Sequence, residues 1–131
     1  MNSFGEVFRV SLFGESHGNS IGVVIDGCPP GLLVDAGDFV PDLTRRRSGR
    51  KGTTERREAD KPEILSGIFN GRTTGSPITV VTRNSDKMSS DYDEFRNIPR
   101  PGHADFVAGI KYSGFSDLRG SGHFSGRITW G

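Results

Sequence analysis

Short apolar segments broken by glycine are the feature that most limits what this chain can fold into. The chain has 19 glycines in 131 residues, which is about twice the usual share. Glycine loses the most backbone entropy on folding, so it is kept where tight turns or close backbone approaches require it. No apolar run reaches the roughly 18 residues of a membrane span. The apolar segments have instead the lengths of strands and short helices.

Two neighbouring segments predict an antiparallel pair of strands. Residues 6–13 alternate loosely and are rich in Val and Phe, and Ser20–Asp26 is a continuously apolar run. A second hairpin is predicted from residues 63–69 and 76–84, with Asn70-Gly71 as its turn signal.

Two short helices are also predicted. Asp35 is placed to cap a helix that begins at Ala36, and residues 104–112 predict a second helix. The apolar positions are Phe39, Val40 and Leu43 in the first helix and Phe106, Val107 and Ile110 in the second. Together with the hairpins, these helices predict an α+β fold.

Composition sets the broad class of protein. The single cysteine, Cys28, excludes an internal disulfide and fits a reducing compartment. The N-terminus has no signal-peptide pattern, and a net charge of +1 indicates neither a nucleic-acid binder nor a membrane-surface protein. We therefore expect a soluble, cytoplasmic protein. The three histidines and the cysteine lack metal-ligand spacing, so no metal site is predicted.

The segment "GESHG", residues 14–18, places His17 between glycines. Histidine is a natural proton donor or acceptor near neutral pH, and glycine lets a ligand approach the backbone closely. The alternative is a tight turn whose polar side chains face water, and residue types alone favour that alternative.

A basic segment, residues 45–58, holds seven of the 17 basic residues and only two acids. Cations that repel one another are kept together where an anion compensates them, and arginine pairs its donors with carboxylate or phosphate. Without interleaved aromatics for base stacking, a small phosphorylated or polycarboxylate ligand fits better than nucleic acid. The alternative is a mobile, solvated charged loop.

Two further segments contain histidine beside arginine. In "RPGHADF", residues 100–106, His103 precedes the predicted helix, whose N-terminus either favours an anion or is simply capped here. The segment "RGSGHFSGR", residues 119–127, combines small residues with many donors and could cradle a phosphate. It is not a P-loop, because no GK[ST] follows.

Taken in order, these segments resemble the motifs of the chorismate synthase family. "FGESHGNSIGVVIDGCPPG" is similar to the family's N-terminal signature, and "DLTRRRSGRKGTTERREADKPEILSGIFNGRTTGSPI" is similar to its arginine-rich loop and hairpin. "RPGHADF" and "GIKY…DLRGSGHFSGR" resemble the next two blocks. Family chains are more than twice as long, so residues 1–131 are expected to be the N-terminal portion of a single domain. The resemblance implies a β-α sandwich core in which helices lie between antiparallel sheets.

The resemblance also implies a function. The family converts 5-enolpyruvylshikimate 3-phosphate into chorismate and phosphate by an anti-1,4-elimination that needs reduced FMN, and some members use NADPH to reduce the flavin. The resemblance implies a homotetramer, with His17 as the acid at the leaving phosphate and His103 beside the flavin. The residues implied for the substrate are Arg45, Arg46, Arg47, Arg50, Lys51 and Arg127, and those implied for the flavin are His123, Phe124, Ser125 and Arg46.

Two differences from the family pattern stand out. His123 and Phe124 occupy positions where many members have Arg and Ser, while Ser125 and Arg127 keep the pattern. The arginine loop is one residue shorter than in some members, so Arg50 and Lys51 share one ligand position. We expect residues 1–131 alone to be inactive, because half of the flavin site is absent. The alternative hypothesis is a non-catalytic module that binds phosphate or another anion.

Overall fold

The computed structural model describes residues 2–46, 59–85 and 98–130. The strands are β1 (Ser3–Phe4), β2 (Arg9–Gly14), β3 (Ser20–Asp26), β4 (Glu63–Ser66), β5 (Ile68–Phe69), β6 (Arg72–Thr73) and β7 (Ile78–Arg83). The α-helices are α1 (Val40–Arg46) and α2 (Asp105–Lys111), and 3-10 helices cover Ala36–Phe39, Arg119–Phe124 and Gly126–Trp130. Most of the predicted basic segment, residues 47–58, lies outside the described ranges.

A five-stranded antiparallel sheet, in the order β1-β2-β3-β7-β4, organises these elements. Leu12 of β2 lies opposite Val23 of β3, which in turn lies opposite Val80 of β7. The predicted antiparallel pair is therefore confirmed, and β3 has the predicted bounds. The first strand begins at Arg9 and not at residue 6, because Gly5, with a φ of 92°, turns the chain so that β1 folds back on β2.

The predicted second hairpin is confirmed with a break in its first strand. β4 pairs with β7 in the main sheet, whereas β5 and β6 form a separate two-stranded sheet. Gly67 causes the break, since its φ is 81° and a Cβ there would lie 2.6 Å from the Ile78 side chain. Asn70 and Gly71, with φ values of 49° and 72°, form the predicted turn between β5 and β6.

The first predicted helix begins at its predicted cap. The Asp35 carboxylate accepts a hydrogen bond from the Gly37 N–H at 2.5 Å, and the Asp38 carboxylate accepts one from the Asp35 N–H at 2.9 Å. These reciprocal bonds satisfy backbone donors that the first helical turn leaves open. The chain makes a 3-10 turn before α1, and Pro41 lies in the first turn of α1, where its missing N–H is tolerated.

The core lies on one face of the sheet. Its buried centre is Val23, Ile78 and Val80, and the side chains packed against it are Val10, Leu12, Ile25, Cys28, Phe39, Ile64 and Ile68. Alternate residues along a strand face the same side, which explains why positions two apart recur in this cluster. Of the predicted apolar positions in the first helix, Leu43 is buried and Phe39 packs on the core, whereas Val40 is exposed.

The second predicted helix is confirmed as α2, but its apolar stripe faces outward. Phe106, Val107 and Ile110 are exposed, and the buried residues of the helix are Asp105 and Ala108. After α2, the two C-terminal 3-10 helices pack against the end of the sheet formed by β2 and β3. Among the described residues, no helix is both long and apolar enough to cross a membrane.

We expect Val80→Ala to lower the free energy of unfolding by about 2–3 kcal/mol, because it removes two buried methyl groups and leaves a cavity. Val80 is 1% exposed, whereas Val7 is 87% exposed. Val7→Ala is therefore the matched control and should change stability little. Denaturant unfolding of both variants measures the difference, and equal effects would contradict the assignment of Val80 to the core.

Candidate functional site

The connection between β2 and β3 carries His17 at the end of the sheet. The Gly18 N–H donates to the Glu15 carbonyl at 3.0 Å, which closes a tight turn with Ser16 and His17 at its centre. His17 is 6% exposed and Ser16 is 3% exposed. The predicted turn is therefore present, but these two polar side chains do not face water.

A glycine-rich backbone segment, residues 118–122, covers the His17 ring and is called the covering segment. A Cβ on Gly120 would lie 2.5 Å from both Cε1 and Nδ1 of His17, so a larger residue does not fit there. Gly120, Ser121 and Gly122 all have positive φ values, of 55°, 68° and 54°. The Ser16 N–H donates to the Gly122 carbonyl at 3.1 Å and joins this segment to the His17 turn. The two glycines adopt these values without steric cost, whereas the left-handed backbone of Ser121 is strained and persists where the surroundings hold it in place.

An ion pair lies beside His17. The Arg119 guanidinium donates to both carboxylate oxygens of Asp117, with Nε–Oδ1 at 2.9 Å and Nη2–Oδ2 at 2.8 Å. The hydrogen bonds from Arg119 hold the pKa of Asp117 below its ordinary value of 3.8, against the opposing effect of burial, and the charge of His17 adds a smaller lowering. Asp117 is thus a carboxylate near neutral pH and close enough to interact electrostatically with His17.

Arg100 joins α2 to the covering segment. Its Nε and Nη2 donate to the two Asp105 carboxylate oxygens at 2.7 and 2.8 Å, and Nη2 also contacts the Leu118 carbonyl and the Ser121 hydroxyl at 3.3 Å. These side-chain hydrogen bonds are the main reason that the pKa of Asp105 is lowered, although burial opposes them. The interpretation of this segment as a helix-capping turn is not supported, because the N-cap residue, Ala104, makes no side-chain capping hydrogen bond. Asp105, in the first turn of α2, instead forms an ion pair with Arg100.

His103 lies on the outside of the same turn. It is exposed, and its Nδ1 is 3.2 Å from the Pro101 carbonyl oxygen. Its position leaves the ring accessible to a ligand.

Arg127 connects three distant parts of the chain. Its Nη1 donates to Asp60 Oδ1 at 2.6 Å and its Nε donates to Asn84 Oδ1 at 3.0 Å. The Asn84 amide in turn donates to the carbonyls of Glu15 and Gly18, at 3.1 and 3.0 Å. Two of the three guanidinium nitrogens are therefore engaged by the protein. The third, Nη2, is buried and has no hydrogen-bond partner within the described ranges.

The described part of the basic segment also reaches the C-terminal 3-10 helix. The Arg46 guanidinium donates to the Thr129 hydroxyl, so the end of α1 is held beside the helix that carries Arg127. Arg45 instead pairs with Asp42 at 2.6 Å on an exposed surface of α1. The remaining predicted substrate ligands, Arg47, Arg50 and Lys51, lie outside the described residues.

Two of the residues predicted to contact a flavin, His123 and Phe124, lie in an aromatic cluster. The His123 and Phe124 rings lie 4.1 Å apart between centroids, and Tyr112 packs edge-on against His123 at 5.3 Å. The Ser125 hydroxyl accepts a hydrogen bond from the Arg127 N–H at 3.3 Å. A partly exposed aromatic surface thus lies next to a hydroxyl on the same short segment.

The structure brings together the predicted segments that contain His17, Arg100 and Gly120. It places the start of the basic segment beside them. The covering segment contacts both the His17 turn and Arg100, and Thr129 contacts Arg46. Sequence analysis did not identify the polar residues that join these parts: Asp60, Asn84 and Asp117. No local pattern marks them, because each acts through a partner that the fold supplies.

Comparison with known proteins gives one family. The chorismate synthase family model matches residues 8–131. A chorismate synthase from Chitinophaga pinensis is 60% identical over 129 residues, which are 98% of this chain and 39% of that protein. One from Thermococcus kodakarensis is 54% identical over 127 residues, which are 97% of this chain and 36% of that protein.

A solved structure agrees with these relatives. A crystal structure of chorismate synthase covers 95% of this chain with a TM-score of 0.64 and 32% identity, and the match spans 31% of that protein. The predicted α+β fold is therefore confirmed as that of a chorismate synthase. The chain spans about two fifths or less of the length of the relatives it matches.

We expect Asp105→Asn to change how stability depends on pH. The folded pKa of Asp105 is below 3.8, so the ion pair stabilises the fold fully above about pH 4 and is lost as the pH falls through the folded pKa. At neutral pH the variant should lose about 2–4 kcal/mol, because Arg100 keeps a buried charge without a carboxylate.

Unfolding free energies measured between neutral and acidic pH test this expectation. The variant's curve should be flatter than the wild-type curve in acid, and parallel curves would contradict the role of the pair. Asp42→Asn breaks an exposed ion pair and is the control, with an expected cost of about 0.5 kcal/mol.

We expect Gly120→Ala to destabilise the chain by about 2–4 kcal/mol, since it adds backbone strain and forces a methyl group against the His17 ring. Gly114 also has a positive φ, of 79°, but a Cβ there would meet no atom within 4 Å. Gly114→Ala therefore isolates the backbone strain. Thermal unfolding and the NMR signals of the His17 ring should separate the two variants, and identical behaviour would show that Gly120 does not contact the ring.

Proposed function

This chain belongs to the chorismate synthase family, and we propose on that premise that it forms the N-terminal part of a chorismate synthase. The proposed reaction is the anti-1,4-elimination of phosphate from 5-enolpyruvylshikimate 3-phosphate to give chorismate. The observation that carries the proposal is the buried His17, which is enclosed by the covering segment and lies near the Asp117–Arg119 ion pair. The alternative of a non-catalytic anion-binding module is not favoured.

His17 is the proposed proton donor to the leaving phosphate. In the elimination, the C–O bond to phosphate breaks, its oxygen keeps the electron pair, and a ring C–H is lost as a proton to complete the diene. Negative charge grows on the departing oxygen, so a positioned acid lowers the barrier. The Asp117 carboxylate lies close enough to interact electrostatically with His17.

Arginine and lysine side chains are the proposed partners of the substrate anions. The substrate has two carboxylates and a phosphate, and the paired donors of arginine suit both groups. Arg46 is held at the C-terminal 3-10 helix, and Arg127 keeps one buried guanidinium nitrogen without a hydrogen-bond partner among the described residues. These two positions support the proposal for Arg46 and Arg127. For Arg45, which pairs with Asp42 on an exposed surface, and for Arg50 and Lys51, it rests on the sequence motif.

Reduced FMN is the proposed cofactor, and the residues present fit it. The neighbouring rings of His123 and Phe124 offer an aromatic surface for a planar ring system, and Ser125 and Arg46 offer polar groups for its ribityl phosphate. His103 is accessible to act as a proton donor or acceptor at the flavin edge. When bound, reduced FMN supplies an electron-rich face that assists cleavage of the C–O bond. The flavin is reduced either by NADPH or by an outside reductant.

The proposal also covers the substrate class, the cellular location and the assembly of the enzyme. The substrate is a small molecule, and we place the complete enzyme in the cytoplasm as a homotetramer. Sedimentation of the complete protein tests this assembly separately from its activity.

We expect His17→Ala in the complete enzyme to lower kcat by about 10²-fold or more, the usual contribution of a general acid. Chorismate formation with reduced FMN measures the rate, and the flavin absorbance change on binding verifies that the variant still takes up the cofactor. A nearly normal rate in a variant that binds flavin would refute the role of His17. Absence of both flavin binding and turnover in the wild-type enzyme would refute the proposed function itself.

A further inference from the structure

Asn84 lies where β7 leaves the sheet, directly beside the His17 turn. Arg83 of β7 is paired with Ser20 of β3, and the Asn84 N–H donates to the Asn19 carbonyl at 3.1 Å. This bond extends the β3–β7 ladder by one residue beyond the strand. The Asn84 side chain is therefore fixed at its base by the sheet, and it is buried.

The Asn84 amide holds both ends of the turn that contains His17. Its Nδ2 donates to the Glu15 carbonyl at 3.1 Å and to the Gly18 carbonyl at 3.0 Å. Glu15 and Gly18 are also the residues whose backbone hydrogen bond closes the turn. Both N–H donors of the amide are used, and the two carbonyls that they bind flank Ser16 and His17.

The orientation of this amide is determined by its partners. Its Oδ1 accepts a hydrogen bond from Arg127 Nε at 3.0 Å. A guanidinium only donates and a carbonyl only accepts, so the reversed amide would place donor against donor and acceptor against acceptors. Arg127 is itself held by Asp60 at 2.6 Å, in an ion pair whose side chains are 11% and 4% exposed.

We propose that Asn84 is a positioning residue for His17 in the reaction, through its two hydrogen bonds to the carbonyls of Glu15 and Gly18. This inference rests on the proposed function, in which His17 protonates the leaving phosphate. The imidazole has to lie within hydrogen-bond reach of the departing oxygen, and a displacement of about 1 Å from a remote change can cost on the order of 10²-fold in rate.

The substitution Asn84→Asp separates this role from a structural one. A carboxylate keeps an oxygen acceptor for Arg127, but when ionised it has no N–H to donate to the turn carbonyls. In the complete enzyme we expect kcat to fall by about 10–100-fold, with KM close to that of the wild type. The melting temperature should also fall, because the two buried turn carbonyls lose their side-chain donor. Asn70→Asp makes the same chemical change in the exposed β5–β6 turn and should leave kcat unchanged.

A double-mutant cycle with His17 identifies the path of the effect. If Asn84 acts through His17, Asn84→Asp should cause little further loss of kcat when it is added to His17→Ala. The same fold-loss in both backgrounds would show a structural role and overturn the proposal, as would full activity of Asn84→Asp alone.

The NMR signals of the His17 ring give a test that does not depend on turnover. They should shift in Asn84→Asp and stay unchanged in Asn70→Asp. Unchanged signals in Asn84→Asp would overturn the positioning role even if activity fell. A normal rate in His17→Ala would instead refute the proposed role of His17, and the ring signals would still decide whether Asn84 positions that residue.

Discussion

The arrangement of the site depends on the contacts of the buried Arg127 guanidinium with Asp60 and Asn84. Its bonds to Asp60 and Asn84 join a loop before β4, the end of β7 and the C-terminal 3-10 helix. Removing a charge from water is costly unless a partner compensates it, so this contact is favourable only when all three parts are in place. The Arg127 guanidinium therefore couples the positions of these three parts of the chain.

Glycine plays different parts in the hairpin region and in the candidate site. Gly67 and Gly71 shape the hairpin region, where positive φ values allow a strand to break and a turn to close. Gly120 has a positive φ as well, but its lack of a side chain is also needed because the His17 ring occupies the space of a Cβ. The high glycine content thus reflects both turn geometry and close packing of backbone against an imidazole.

Features that depend on neighbouring residues could be predicted from the sequence. The bounds of β3, the Asn70-Gly71 turn and the Asp35 cap all follow from local patterns, and the structure confirms them. The burial of His17 could not be predicted from residue types, since it depends on a segment about a hundred positions away. The same applies to Asn84, whose partners come from separate parts of the chain. The roles of individual site residues stay predictions.

The outward-facing stripe of α2 has a thermal consequence. Phe106, Val107 and Ile110 hold apolar surface in water on a helix whose opposite side is anchored by Asp105 and Ala108. Hydration of apolar surface raises heat capacity, and the tendency to remove that surface from water weakens on cooling. This helix face should therefore stay hydrated in the cold. On warming, it should associate more readily with other apolar surfaces.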